Sequence, residues 1–135
     1  MIGIAHGSRR VLVMGVIASL MLAAGGIVLV KGLAADGDVV EVRLVARDMT
    51  YFVEGGSEPN PTLRVPRGSR LRVVLTNNDP GYSHNLIVSA FGIETPLIAN
   101  GKTQAIEMKV PLAPGLHAYS CGPHAEMMRG NIAVE

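Results

Sequence analysis

Two hydrophobic patterns divide this chain. From Val11 to Val30, twenty residues run without a charge. Wound as a helix they reach about 30 Å, the thickness of a bilayer's hydrocarbon core. From Val40 onward the period changes to two. Val40, Val42, Leu44 and Ala46 alternate with Glu41, Arg43, Val45 and Arg47, as in a half-buried strand. Further β-prone runs follow at Met49–Val53, Thr62–Val65, Leu71–Leu75, His84–Val88, Thr103–Val110, Leu116–Cys121 and Asn131–Val134. Turn-forming clusters separate them: Glu54–Pro61, Pro66–Gly68, Asn77–Gly81 and Pro111–Gly115. No long 3.6-period stretch follows Asp36. The pattern predicts an all-β, Greek-key β-sandwich of seven to eight strands, preceded by one N-terminal transmembrane helix.

Charge sharpens that division. Of 12 Lys+Arg, only Arg9, Arg10 and Lys31 precede Asp36, and all 11 acidic residues lie from Asp36 onward. Residues 1–35 therefore form a stub and anchor carrying +3, and residues 36–135 a domain carrying −2 (9 basic minus 11 acidic). With Arg9 and Arg10 before the apolar run, the positive-inside bias predicts a cytoplasmic N-terminus and an exported domain, periplasmic or extracellular. A cleaved signal peptide is the rival reading, with Gly32-Leu33-Ala34 as its small-residue site. Arg64, Arg67, Arg70 and Arg72 form a basic cluster, read as a solvated strand edge that discourages edge pairing. A net charge of +1 and 4 % aromatic residues argue against nucleic acid as a partner.

One cysteine in 135 residues excludes an internal disulfide and a Cys-only zinc site. A lone thiol in an exported domain calls for another role, and its neighbours supply one. Cys121 ends an expected strand, Gly122-Pro123 turns the chain, His124 follows, and Met128 stands just before the last strand. One loop can thus present a thiolate, an imidazole and a thioether to a single point. His84, starting a strand 37 residues before Cys121, can close the site from the side. Soft sulfur ligands favour copper, and imidazole suits Cu(II) as well. Two His and one Cys with a weak axial Met is the ligand set of blue-copper electron transfer. A Cys–His nucleophile pair is the enzymatic alternative, but no oxyanion-hole or orienting-acid signature accompanies it. Met49 and Met108 read as core, His117 as a structural histidine, Glu126 as a surface charge, and His6 as unrelated to the site.

The chain from about Val39 to Glu135 resembles the cupredoxin family, in particular single-domain blue copper proteins such as plastocyanin, amicyanin, pseudoazurin and azurin. The likeness rests on Cys121-Gly122-Pro123-His124, Met128-Arg129-Gly130 and His84-Asn85. It implies one type 1 copper ion with His84, Cys121 and His124 as equatorial ligands and Met128 as the axial one. It also implies that Asn85 ties the two ligand segments together. The His-to-Met spacing leaves Met127 as a competing axial ligand, and the Met-x-Gly pattern favours Met128. Ser83 stands where the family often has a small or imino residue, which leaves any extra axial carbonyl contact open.

The resemblance implies a carrier of single electrons and not an enzyme. Copper nitrite reductases and multicopper oxidases need more copper centres and more histidines than the exported part holds. A dinuclear copper centre would need two cysteines. Pro80, Gly81, Pro123, Ala125 and Met127 would form an apolar rim beside His124, suited to brief docking with a redox partner such as a cytochrome or membrane oxidase. The alternative reading is an exported copper chaperone or store that delivers the metal to another protein.

Overall fold

The computed structural model describes residues 38–135. The expected membrane helix over Val11–Val30 and the 1–35 segment lie outside the described residues. Among those described, no helix is long and apolar enough to cross a membrane.

The domain is a sandwich of two sheets. The first holds β1 (Val39–Arg47), β2 (Thr50–Val53), β4 (Arg70–Asn77) and β7 (Thr103–Lys109) in the order β2-β1-β4-β7. The second holds β3 (Thr62–Val65), β5 (Ile87–Val88), β6 (Ile93–Glu94), β8 (Gly115–Ser120) and β9 (Arg129–Val134) in the order β3-β9-β8-β5-β6. The chain changes sheet after β2, β3, β4, β6 and β7. Both sheets are mixed, because β1 runs parallel to β4 and β3 parallel to β9.

Alternation decides which side chains meet between the sheets. Val40, Val42, Leu44 and Ala46 of β1 are buried, and register sets Val42 and Leu44 beside Val73 and Leu75 of β4. Leu63 and Val65 of β3 and Ile132 and Val134 of β9 close the core from the other sheet. Val74 departs from the alternation: it is buried although it lies out of phase with its strand's inward residues. Between Arg43 and Ala105 on the outer face, it is screened by its neighbours rather than by the core.

Two expectations change. The strand expected over His84–Val88 shortens to Ile87–Val88, and His84 instead makes an isolated bridge with Ile98. The short β6 follows a 3₁₀ turn at Ser89–Phe91, which Gly92 ends at φ 67°, and brings the strands among the described residues to nine. Of the basic cluster, only Arg64 lies on an edge strand; Arg70 and Arg72 lie on β4, inside its sheet. Arg64 pairs with Glu135 at 2.9 Å, and Arg72 with Glu107 at 3.1 Å and Glu41 at 3.3 Å. Exposed pairs of this kind contribute about 0–1 kcal/mol each.

The turn joining β1 to β2 is strained. Asp48 and Met49 are consecutive non-glycine residues at φ 52° and 55°, the left-handed region. Such a conformation costs of order 1–3 kcal/mol per residue and persists where its surroundings fix it. This turn lies at the end of the sandwich where β1 and β4 finish, with Ala46 beside Asn77.

Candidate metal centre

Beyond that end of β4, the Asn77–Gly81 segment returns the chain toward the second sheet. Asn77 organises it. Its fully buried amide donates to the carbonyls of Tyr82 at 2.8 Å and Ile98 at 2.9 Å, and its Oδ1 accepts the Asp79 N–H at 2.9 Å. His84 follows, locked to Ile98 by backbone bonds of 3.1 and 2.8 Å. The segment Cys121–Met128 joins β8 to β9. It is closed at its base by the Cys121 N–H donating to the Met128 carbonyl at 2.9 Å, and inside by Met128 N–H donating to the His124 carbonyl at 2.8 Å.

Asn85 links these two segments. Its Oδ1 accepts from Gly122 N–H at 2.8 Å, and its Nδ2 donates to the Thr95 carbonyl at 3.1 Å. Thr95 Oγ1 in turn accepts the Leu86 N–H at 2.9 Å. A Cβ at Gly122 would press within 3.3 Å of Ile87 Cδ1 and 3.5 Å of Asn85 Oδ1. Gly130 is more constrained: a Cβ there would collide with the Tyr119 hydroxyl and come within 2.8 Å of the Asn60 carbonyl oxygen.

These restraints bring His84, Cys121 and His124 together. Their donor atoms lie within 4.8 Å of one another. His84 Nδ1 is 3.7 Å from Cys121 Sγ, His124 Nδ1 is 3.6 Å from that sulfur, and the two Nδ1 atoms are 3.2 Å apart. A triangle with these sides has its circumcentre about 2.0 Å from each corner, within the ~2.0–2.3 Å over which imidazole nitrogen and thiolate sulfur bind a first-row ion such as zinc. The donors thus fit one metal ion, and their chemistry fits copper. His84 and Cys121 are fully buried, whereas His124 is partly exposed.

Met128 lies fully buried in the same loop, while Met127 is 52 % exposed and its carbonyl accepts from Asn60 Nδ2 at 2.8 Å. Burial therefore separates the two methionines in the sense that the Met-x-Gly pattern favours. His117 stays apart from the cluster. Its ring packs 5.0 Å from that of Phe91, and its Nε2 is buried with no hydrogen-bond partner among the described residues. Met108 is core, as expected, and Met49 is half-buried in the strained turn.

Sequence reasoning missed several neighbours of the cluster. Asp79 is buried, and its Oδ2 lies 3.0 Å from His84 Nε2. Tyr82 is 50 % exposed, with its ring 5.9 Å from that of His124 and 6.4 Å from that of His84. Tyr51 is fully buried, donates to the Asn85 carbonyl, and stands edge-on to Tyr119 with ring centroids 5.5 Å apart. Burial drives the Tyr51 phenol well above the ordinary tyrosine range, and the nearby Cys121 adds to the shift. Burial likewise raises Tyr119, whose hydroxyl donates to the Pro61 carbonyl at 2.7 Å. Both phenols thus remain neutral donors. Only the spacing of Asp79 five residues before His84 could have hinted at its role, and in a turn cluster that spacing is unremarkable.

The model of the cupredoxin-like domain matches residues 16–134. No curated protein matches the sequence. Several solved structures share the fold. Auracyanin from Roseiflexus castenholzii aligns with TM-score 0.58 at 16 % identity, over 70 % of this chain and 96 % of that one. Rusticyanin from Thiobacillus ferrooxidans aligns with TM-score 0.54 at 20 % identity, over 77 % and 85 %. The metal binding domain of the Cu(I)-exporting P-type ATPase CopA of Streptococcus pneumoniae D39 aligns with TM-score 0.61 at 19 % identity, over 84 % and 99 %. Against longer proteins this chain spans only a part: 66 % of a chain of a heme-copper terminal oxidase dimer and 23 % of the multicopper oxidase Fet3p.

Proposed function

This chain belongs to the family of cupredoxin-like domains, and on that premise we propose that it carries single electrons between redox proteins with one copper ion held by His84, Cys121, His124 and Met128. The observation that carries the reading is the convergence of one sulfur and two nitrogen donors within 4.8 Å. When bound, copper supplies a one-electron couple between Cu(II) and Cu(I). The chain's own residues supply a fixed frame. His84 and Cys121 are anchored at the ends of different segments, and the Asn85 side chain braces one against the other. A frame that moves little between oxidation states keeps the rearrangement on electron transfer small.

His124 is the port in this reading. It is the partly exposed member of the donor triangle, and Tyr82 and Met127, each about half exposed, flank it. With Pro80, Gly81, Pro123 and Ala125, all exposed, they make an apolar rim suited to brief docking with a cytochrome or an oxidase. The uncharged run Val11–Val30 supports a membrane tether that keeps the domain on the extracytoplasmic side. Such a tether raises the effective concentration near membrane-bound partners. The reading is of a carrier rather than an enzyme: among the described residues the remaining histidine, His117, is packed on Phe91, away from the donor cluster.

The test is the visible spectrum of the purified protein with Cu(II). An intense thiolate-to-copper charge-transfer band is expected, and Cys121→Ser should abolish it. Folded protein that binds Cu(II) without the band would overturn the proposal. A copper store would instead exchange its metal readily and pass electrons slowly. Electron exchange with a redox mediator, measured beside metal transfer to a chelator, separates the two.

A further inference from the structure

Asp79 has the sequence context of a surface turn, yet its side chain is buried and its Oδ2 receives two hydrogen bonds. One comes from the Met49 N–H at 2.9 Å, the other from His84 Nε2 at 3.0 Å. The Asp79 backbone is pinned in turn by Asn77. The carboxylate therefore stands between the strained Asp48–Met49 turn and the His84 imidazole, held from both sides. Among the described residues it has no lysine or arginine partner: its ion-pair contact is with His84.

The geometry fixes the imidazole. Nδ1 faces Cys121 Sγ and His124 Nδ1, so with Nδ1 given to the ion, Nε2 is the nitrogen left to donate a proton to the carboxylate. A carboxylate on the far nitrogen orients the ring and makes the near nitrogen a stronger donor. It also brings a buried negative charge close to the ion, where low dielectric keeps the interaction strong. That charge favours the dication over the monocation.

We propose that Asp79 is a positioning residue that sets the reduction potential of the copper site through His84, holding Nδ1 toward the ion and stabilising Cu(II) over Cu(I). The proposal rests on the copper reading above. Asp79→Asn keeps the shape and an acceptor oxygen but removes the charge. In the full-length, copper-loaded protein the blue band should persist. Losing such a partner typically weakens metal binding by about 10–100-fold; with that loss falling on Cu(II), the Cu(II)/Cu(I) equilibrium should move about 10–100-fold toward Cu(I). For one electron that is a rise of about 60–120 mV.

A blue Asp79→Asn protein whose equilibrium moves less than about twofold, under about 20 mV, overturns the role of Asp79 and leaves the copper reading standing. If Asp79→Asn does not fold, Asp79→Ser is read against the same threshold. A wild-type protein that binds Cu(II) without a blue band defeats the copper reading instead. The positioning role is then read from ¹⁵N NMR of His84 in the metal-free protein. A proton on Nε2 with Nδ1 bare supports it, and a proton on Nδ1 with Nε2 bare overturns it.

Discussion

Asn85→Ala tests whether the two ligand segments are mechanically joined. The wild-type side chain is 4 % exposed and makes two bonds, from Gly122 N–H at 2.8 Å and to the Thr95 carbonyl at 3.1 Å. Alanine removes both. Gly122 is exposed, so water recovers part of its lost bond, and about 1 kcal/mol is expected there. Thr95 is 6 % exposed, and its orphaned carbonyl should cost about 1–3 kcal/mol. The sum, roughly 2–4 kcal/mol, lowers the melting temperature by roughly 8–30 °C for a domain of about 100 residues. Denaturant unfolding, with and without copper, measures it. Because Gly122 follows Cys121 directly, the loss should be larger in the copper-loaded form, where the loosened segment also weakens metal binding. Thr95→Val is the control. It deletes the acceptor of Leu86 N–H, 2.9 Å away, without touching the Cys121 loop, and should cost both forms equally. An Asn85→Ala loss below about 0.5 kcal/mol, or one equal in the two forms, would refute the brace.

Other outcomes follow from the same geometry. Gly130→Ala drives a methyl into the Tyr119 hydroxyl and the Asn60 carbonyl, and thermal melting should show about 1–3 kcal/mol of overpacking. Met128→Ala should shift the visible spectrum and potential strongly, whereas Met127→Ala, at a half-exposed position, should leave the spectrum nearly unchanged. Tyr51 and Tyr119 have raised folded-state pKa values, so above pH ~10 the unfolded chain loses phenolic protons that the native state keeps. Their contribution to stability is intact below that pH and declines above it, by up to about 1.4 kcal/mol per pH unit for each tyrosine. Urea unfolding at pH 9, 10 and 11 reads the slope.

The hairpin framework was legible because one-sided burial imposes a strict period. Val40 to Ala46 could adopt only one register without exposing apolar groups. The ligand loop was legible because Cys121, His124 and Met128 are neighbours in sequence. His84 was harder, since its apolar followers suggested a strand. The backbone there instead spends its bonds on Ile98, which pairs with His84, and on Thr95, whose N–H and Oγ1 bond Leu86, which stops regular pairing until Ile87. Ile93–Glu94 is too short to carry any period. Asp79 and Tyr51 were illegible for another reason. A turn rich in Asn, Asp, Pro and Gly does not announce which of its side chains faces inward. An aromatic residue in a β-prone run looks the same whether its hydroxyl meets water or a carbonyl.

The bond from Cys121 N–H to the Met128 carbonyl makes the ligand loop a cassette with a sealed base. Residues between those two points can be lengthened, shortened or exchanged while β8 and β9 keep their register, since the seal and the six paired positions beyond it belong to the hairpin. The His124–Met128 spacing can therefore change in descendants of such a chain at the cost of the bond from Met128 N–H to the His124 carbonyl, and with it the electron affinity, while the β8–β9 hairpin stays as it is.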